Sequence, residues 1–269
     1  MAKEPEKIYQ CRARINEMRA LSTGYYLLTV TAPEIASVAY PGQFAQLRVV
    51  ATNVIDPLLA RPISIYHVDA VRGEVAYIFK ILGRGTALLA ENLPGTEICV
   101  LGPIGNGFTV PEAARQIVLV GGGVGMPPLY FLAAELHRSR PEVKVTFFYG
   151  GRSSEDILEL ARWDSIGARV VVATDDGSIG SHGLVTAPLI EELKTQKFDY
   201  LAACGPKPML RAVQKIALEA GIPGQLSLEE RMACGVGACL GCVCSTTKGR
   251  QRVCVDGPVF ALDEVKFDG

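Results

Sequence analysis

A chain of 269 residues with 49% hydrophobic content can bury the cores of two domains and a small third. A net charge of −1 with no basic run argues against nucleic acid as the main partner, because neutralising phosphates takes clustered Lys and Arg. The polar start at residues 1–7 is no secretory signal, and the most apolar stretch, 117–136, is broken by four glycines and Pro127-Pro128, so neither export nor a membrane span is expected. Eight cysteines in such a chain fit a reducing, cytoplasmic setting where thiolates are free for metal. The mean hydropathy of +0.23 predicts an apolar face covered by another subunit.

Residues 8–101 are rich in short alternating runs, such as 25–31, 43–49 and 74–80, separated by turn signals at Pro41-Gly42 and Arg72-Gly73. That rhythm predicts a small closed β-barrel or sandwich, interrupted by one helix at 86–92. Two features in it suit anions. Arg61-Pro62-Ile63-Ser64 opens a strand with a guanidinium able to grip phosphate in a fork, and Gly85-Thr86 starts a helix whose free N–H groups attract negative charge. Together they predict a pyrophosphate clamp, although each alone is also what a solvated rim arginine or a simple helix cap looks like.

The turn cluster Gly102-Pro103-Ile104-Gly105-Asn106-Gly107 marks a boundary, so a first domain is expected at 1–108. Beyond it, apolar strands at 116–120, 143–149, 169–174 and 199–203 alternate with helices at 127–137, 155–160, 187–193 and 207–219. This predicts an α/β doubly wound parallel sheet at 109–225, with ligands bound beyond the carboxyl ends of its strands. Three of those ends carry suitable residues: Gly121-Gly122-Gly123-Val124-Gly125, Thr174-Asp175-Asp176-Gly177, and Cys204-Gly205-Pro206. Gly151-Arg152-Ser153 ends another strand and supplies a cation suited to a 2′-phosphate.

The last segment, 226–269, carries the most specific pattern. Cys234-x4-Cys239-x2-Cys242 is followed by Cys254 after eleven residues, the spacing of plant-type [2Fe–2S] sites. Gly235, Gly237 and Gly241 let backbone N–H groups turn toward sulfur. Structural zinc usually takes two Cys-x2-Cys knuckles, and only Cys239 and Cys242 are so spaced here. Cys244 is spare, Cys11 and Cys99 are expected to be buried apolar residues, and His67, His137 and His182 have no ligand-spaced partners.

This order of motifs resembles the ferredoxin–NADP reductase superfamily, in which a flavin barrel precedes a nicotinamide domain. The loop from Glu230 to Cys242 with Val253-Cys254-Val255-Asp256-Gly257-Pro258 resembles, within it, the electron-transfer subunits of dihydroorotate dehydrogenase B. The resemblance implies FAD, one [2Fe–2S] cluster and NAD as cofactors, and an FMN-containing catalytic subunit as partner in a heterotetramer of pyrimidine biosynthesis. It assigns Arg61, Pro62, Ile63 and Ser64 to the FAD phosphates and flavin edge, the backbone of Ile78, Phe79 and Lys80 to the flavin, and Gly85-Thr86 to the pyrophosphate. The glycine loop, Asp175 and Cys204-Gly205-Pro206 fall to NAD, with Cys204 beside the nicotinamide. A reductase serving another redox partner, such as ferredoxin, polysulfide or an oxygenase, uses the same modules and is the competing expectation. No acid–base dyad is required of a chain that relays electrons through cofactors.

Overall fold

Alternation along the first strands puts one apolar face inward, and closure of the sheet leaves no open edge to protect. In the computed structural model, which describes residues 7–49 and 56–267, six strands close into a barrel. They are β1 (Tyr9–Ser22), β2 (Tyr25–Thr31), β3 (Phe44–Val49), β4 (Arg61–Asp69), β5 (Glu74–Lys80) and β6 (Glu97–Ile104), in the order β1-β2-β5-β4-β3-β6. Ile15, Leu28, Val30, Leu47, Ile65, Val75, Ile98 and Val100 fill the interior. The short helix α1 (Pro33–Ala36) places Ile35 in the same core, and α2 (Arg84–Ala90) follows β5. Cys11 and Cys99 are half-buried on neighbouring strands, so the expectation of full burial is corrected: both lie on a barrel face that remains partly open.

The second half forms a seven-stranded sheet ordered β10-β9-β8-β7-β11-β12-β15. Its strands are β7 (Gln116–Gly122), β8 (Lys144–Gly151), β9 (Arg169–Thr174), β10 (Ser181–His182), β11 (Tyr200–Cys204), β12 (Gly224–Ser227) and β15 (Val259–Ala261). All pair in parallel except β15, which returns antiparallel to β12. The chain moves outward from β7 to β8 on one side and to β11 on the other, so the switch point lies at the carboxyl ends of β7 and β11. Helices α3 (Met126–Ser139), α4 (Leu160–Ser165), α5 (Thr186–Leu193) and α6 (Lys207–Glu219) connect the strands.

The helix expected at 155–160 is not there. A single 3-10 turn at Ser154–Asp156 is followed by Glu159 in a left-handed conformation, and α4 begins only at Leu160. The reason is tertiary: Asp156 turns inward to bond Tyr25 and Lys80 of the barrel, a pull stronger than local helix propensity.

Barrel and sheet are held together by a run of packed aromatic rings. Tyr66 of β4 meets Tyr130 of α3 at 4.8 Å, Tyr130 meets Trp163 of α4 at 5.3 Å, and Trp163 stacks on Phe147 of β8 at 4.0 Å. Such pairs contribute about 0.5–1.5 kcal/mol each beyond burial. This fixes how the ligand cavities of the two halves face each other.

After β12 the chain runs through the cysteine loop into a hairpin of β13 (Val243–Thr246) and β14 (Gly249–Arg252) before rejoining the sheet as β15. Phe44 and Ile104 of the barrel, Val118 and Leu226 of the sheet, and Cys242, Val253 and Phe260 share one core. The C-terminal segment is thereby wedged between barrel and sheet edge. Among the described residues no helix is long and apolar enough to cross a membrane.

Candidate functional site

A cavity of about 620 Å³ opens beside β4, β5 and α2, and every residue expected at a flavin lines it: Arg61, Pro62, Ile63, Ser64, Ile78, Phe79, Lys80, Gly85 and Thr86. Arg61 lies so close over α2 that a methyl group on Gly85 would stand 2.3 Å from its Nε, so the guanidinium and the helix start do converge. Leu59 O accepts from Arg61 Nη1 at 2.6 Å and steadies the side chain. The Thr86 hydroxyl accepts the Leu82 N–H at 2.9 Å and donates to Gly83 O at 3.0 Å. Its first role is therefore to lock the turn that presents these N–H groups. Glu229, Glu230, Arg231 and Met232, which lead into the cysteine loop, form the far wall.

A second cavity of about 630 Å³ lies at the switch point, lined by Gly122, Gly123 and Gly125, by Asp175, and by Gly205 and Pro206. Gly121 and Cys204 stand one residue behind it, paired across β7 and β11. A methyl group at Gly125 would stand 2.1 Å from Cys204 O, so the two strand ends touch through backbone alone. Cys204 is 1% exposed, and burial, the nearby Glu229 carboxylate and little else push its thiol pKa far up. It is packed as a neutral thiol and is no nucleophile. Arg152 is exposed in this cavity, its backbone N–H bonded to Asp156.

Lys80, Leu82, Val124 and Glu229 belong to both cavities, which therefore meet. Glu229 is exposed where the two cavities meet, and the protein around it disfavours its charged form and raises its carboxyl pKa. Lys80 donates to Tyr25 Oη at 2.9 Å and to Asp156 Oδ1 at 3.0 Å, and the Tyr25 hydroxyl donates to the same carboxylate. Burial alone would raise the pKa of Asp156, but the Tyr25 hydroxyl, the Arg152 N–H and the Lys80 ammonium together hold it below the ordinary value. Tyr25, Asp156 and Glu229 were not legible as site residues, since each is an ordinary residue of its own segment.

This bridge gives a prediction with a definite sign. A carboxyl with a depressed folded pKa stabilises the fold at pH above its unfolded value, about 3.9, and that stability is lost as pH falls through the folded pKa. Asp156→Asn is expected to cost about 1–3 kcal/mol in urea unfolding at neutral pH. Wild type and variant are expected to converge as pH falls from about 3.9 through the lower folded pKa; a constant difference across that range would count against the bridge.

The cysteines stand apart from both cavities. Among the described residues no three Cys, His, Asp or Glu side chains gather round one point. Cys239 lies against Cys234, its backbone N–H donating to Cys234 Sγ, and Cys242 and Cys254 are neighbours, with Cys234 also within electrostatic reach of Cys254. Four thiols on one loop and its return supply the number of ligands that a [2Fe–2S] cluster needs, two for each iron. Cys234 Sγ accepts N–H groups from Val236 and Cys239 at 3.4 Å, and Cys239 Sγ accepts that of Gly241 at 3.4 Å. Burial opposes ionisation of Cys234, but these backbone donors win and bring its pKa down to about 7. Burial and the neighbouring Cys242 push Cys254 up to about 12.

The returning segment is tied down by the Val253 N–H to Cys242 O bond (2.8 Å), by Arg252 Nη1 donating to Gly237 O (3.3 Å) and by Asn106 Nδ2 donating to Val255 O (3.0 Å). Cys242 and Cys254 are buried and Cys239 is exposed, so the loop has an inner and an outer edge. Cys244 lies on β13 opposite Gln251, lines a different cavity with Arg211 and Lys266, and has its pKa pushed up to about 11 by burial and Glu230.

Residues 229–266 match the iron–sulfur cluster binding domain of dihydroorotate dehydrogenase B, and residues 119–215 match an oxidoreductase NAD-binding domain. The electron transfer subunit of dihydroorotate dehydrogenase B (NAD(+)) from Bacillus caldolyticus is 42% identical over 259 residues, 94% of this chain and 97% of that protein. Its counterpart from Desulforamulus reducens is 38% identical over 260 residues, 95% of this chain and 98% of that protein. Among solved structures, an NADH-dependent reduced ferredoxin-NADP oxidoreductase is similar with a TM-score of 0.86 at 27% identity, covering 96% of this chain and 91% of that one. A ferredoxin reductase of carbazole 1,9a-dioxygenase reaches a TM-score of 0.65 at 25% identity, covering 80% of this chain and 67% of that one. With a reductase barrel, a nicotinamide-type sheet and a four-cysteine loop in one chain, and with relatives matched along nearly their whole length, this chain belongs to the family of dihydroorotate dehydrogenase B electron transfer subunits.

Proposed function

We propose that this chain is the electron-transfer subunit of a cytoplasmic dihydroorotate dehydrogenase B, carrying electrons from the FMN of a catalytic subunit to NAD+ in pyrimidine biosynthesis. The observation that carries this reading is the order of the sites: the barrel cavity shares Lys80, Leu82, Val124 and Glu229 with the switch-point cavity and is walled by the segment that enters the cysteine loop. When bound, a flavin exchanges two electrons with a nicotinamide and single electrons with an iron–sulfur cluster, and so belongs between them.

In this reading Arg61 and the N–H groups at Gly85-Thr86 bind the FAD pyrophosphate, while Pro62, Ile63 and Ser64 with the backbone of Ile78, Phe79 and Lys80 orient the flavin. Gly121, Gly122, Gly123 and Gly125 let the nicotinamide dinucleotide approach the sheet, Asp175 and Gly205-Pro206 flank it, and Cys204 keeps water from the meeting point. Cys234 and Cys239 hold one iron, Cys242 and Cys254 the other. The units are taken as 1–108 for FAD, 109–225 for NAD and 226–269 for the cluster, and the assembly as two copies of each subunit.

Purified protein is expected to carry FAD, iron and labile sulfide, with one cluster per flavin. It is expected to oxidise NADH with an artificial acceptor and to leave dihydroorotate untouched until the FMN-containing subunit is added. Zinc without sulfide would overturn the cluster, and full coupling to a ferredoxin or an oxygenase instead would favour the other reductase reading. Arg61→Ala is expected to weaken FAD binding by roughly 2–4 kcal/mol, the scale of losing a charge-assisted phosphate contact. FAD retained through gel filtration measures this, and unchanged occupancy would remove Arg61 from the clamp.

A further inference from the structure

Gln46 on β3 is 2% exposed, yet neither its Nε2 nor its Oε1 has a hydrogen-bond partner. A buried carboxamide with both ends unpaired is rare, because each end loses its hydration without compensation. The cysteine loop covers it. A methyl group built on Gly235 would stand 3.0 Å from Gln46 Nε2 and 2.9 Å from its Cγ. Gly235, with φ of 72°, directly follows Cys234 and leaves the space that the carboxamide fills. On the other side, Gln46 pairs with Pro62 of β4, and Pro62 and Phe44 both line the flavin cavity. Gln46 thus stands in the wall between the flavin cavity and the cysteine loop.

We propose that the Gln46 carboxamide donates a hydrogen bond to sulfur of the iron–sulfur cluster at its Cys234 end and so holds the cluster's reduction potential up. The inference rests on the cluster reading above. Gly235, which covers Gln46, directly follows Cys234, so the sulfur of a cluster held there is the acceptor nearest along the covering loop, and an N–H···S bond strengthens when reduction adds negative charge to the cluster. Gln46 is therefore a positioning residue that favours the reduced form beside the flavin wall, and being neutral it does so without placing a charge in a buried site.

The test uses the holoprotein with 15N only in glutamine side-chain amides, reduced and read by pulsed EPR. A 15N coupling to the cluster is expected in the wild type and is expected to vanish in Gln46→Leu, which separates it from any contribution of Gln251 on β14. EPR-monitored titration of Gln46→Leu is expected to show a lower midpoint, by about tenfold in the one-electron equilibrium or about 59 mV. Gln46→Glu is expected to lower it further, with the ratio of FAD to cluster unchanged in both. A cluster signal without glutamine coupling in the wild type, or midpoints unmoved in both variants, would overturn the role of Gln46. If Gln46→Leu fails to assemble, the labelled wild type still decides. A preparation lacking iron, sulfide and EPR signal overturns the cluster reading itself and this inference with it.

Discussion

Cys239→Ser is expected to abolish the iron–sulfur absorption and all electron flow to one-electron acceptors, while Cys244→Ser leaves both intact. The two residues lie five positions apart in one segment, yet their surroundings differ completely. Cys239 donates its backbone N–H to Cys234 Sγ at 3.4 Å, and its own sulfur accepts the Gly241 N–H at 3.4 Å, a bond that steadies thiolate charge. A serine there supplies a hard oxygen that ionises only far above neutral pH, a poor substitute where iron takes soft thiolates. Cys244 belongs to the β13–β14 hairpin, packs against the core that holds Val253 and Val265, and is held protonated at neutral pH by burial. Neither change touches the flavin cavity, which no cysteine lines, so both variants are expected to keep FAD and to reduce a two-electron acceptor with NADH. Iron, sulfide and FAD contents measured on the same preparations decide the matter: loss of the cluster in Cys244→Ser, or its retention in Cys239→Ser, means that the ligand set is wrong.

The cysteine pattern was legible because its ligands lie in one short loop and one return, so spacing alone reports the geometry. The barrel and the parallel sheet were legible for a similar reason, since each strand carries its own alternation or apolar run. What the sequence hid was created by distant contact. Asp156 reads as part of an acidic helix start until Tyr25 and Lys80, on strands of another domain, take its carboxylate. Gln46 reads as the polar face of an alternating strand, and only the cysteine loop folding over β3 buries it. The three residues of β15 are too short for any periodic signal, yet by pairing with β12 they tie the cysteine segment into the sheet. Glu229 follows a strand like many solvent-facing glutamates and becomes distinctive only where the two cavities meet.

Leu240→Glu is expected to separate the two activities of the proposed complex, sparing NADH oxidation by the chain and removing electron transfer from dihydroorotate through the catalytic subunit. Leu240 is 63% exposed at the outer edge of the cysteine loop, with Val236 at 45% and Val255 at 40% completing an uncharged patch beside the exposed Cys239. Ala238 is exposed in the same stretch, while Val243 is half-buried in β13 and contributes less surface. Leu240 also has φ of 56°, a left-handed conformation that costs a side-chain-bearing residue roughly 1–2 kcal/mol. Folding gains nothing from an exposed leucine in a strained position, where glycine would sit without penalty. A docking partner would gain from it, because an apolar side chain held out on a rigid loop fills a pocket with little loss of entropy. Leu240→Gly is accordingly expected to stabilise the isolated chain by about 1 kcal/mol while weakening association, the opposite signs that mark a residue kept for binding. Leu240→Glu is expected to weaken association by roughly 2 kcal/mol or more, the scale of a central contact replaced by a buried unpaired charge. Subunit affinity by titration calorimetry, thermal unfolding of the isolated chain and both enzymatic assays on the same preparations form the test. Full coupling in Leu240→Glu, or a loss of stability in Leu240→Gly, would move the docking face away from this loop.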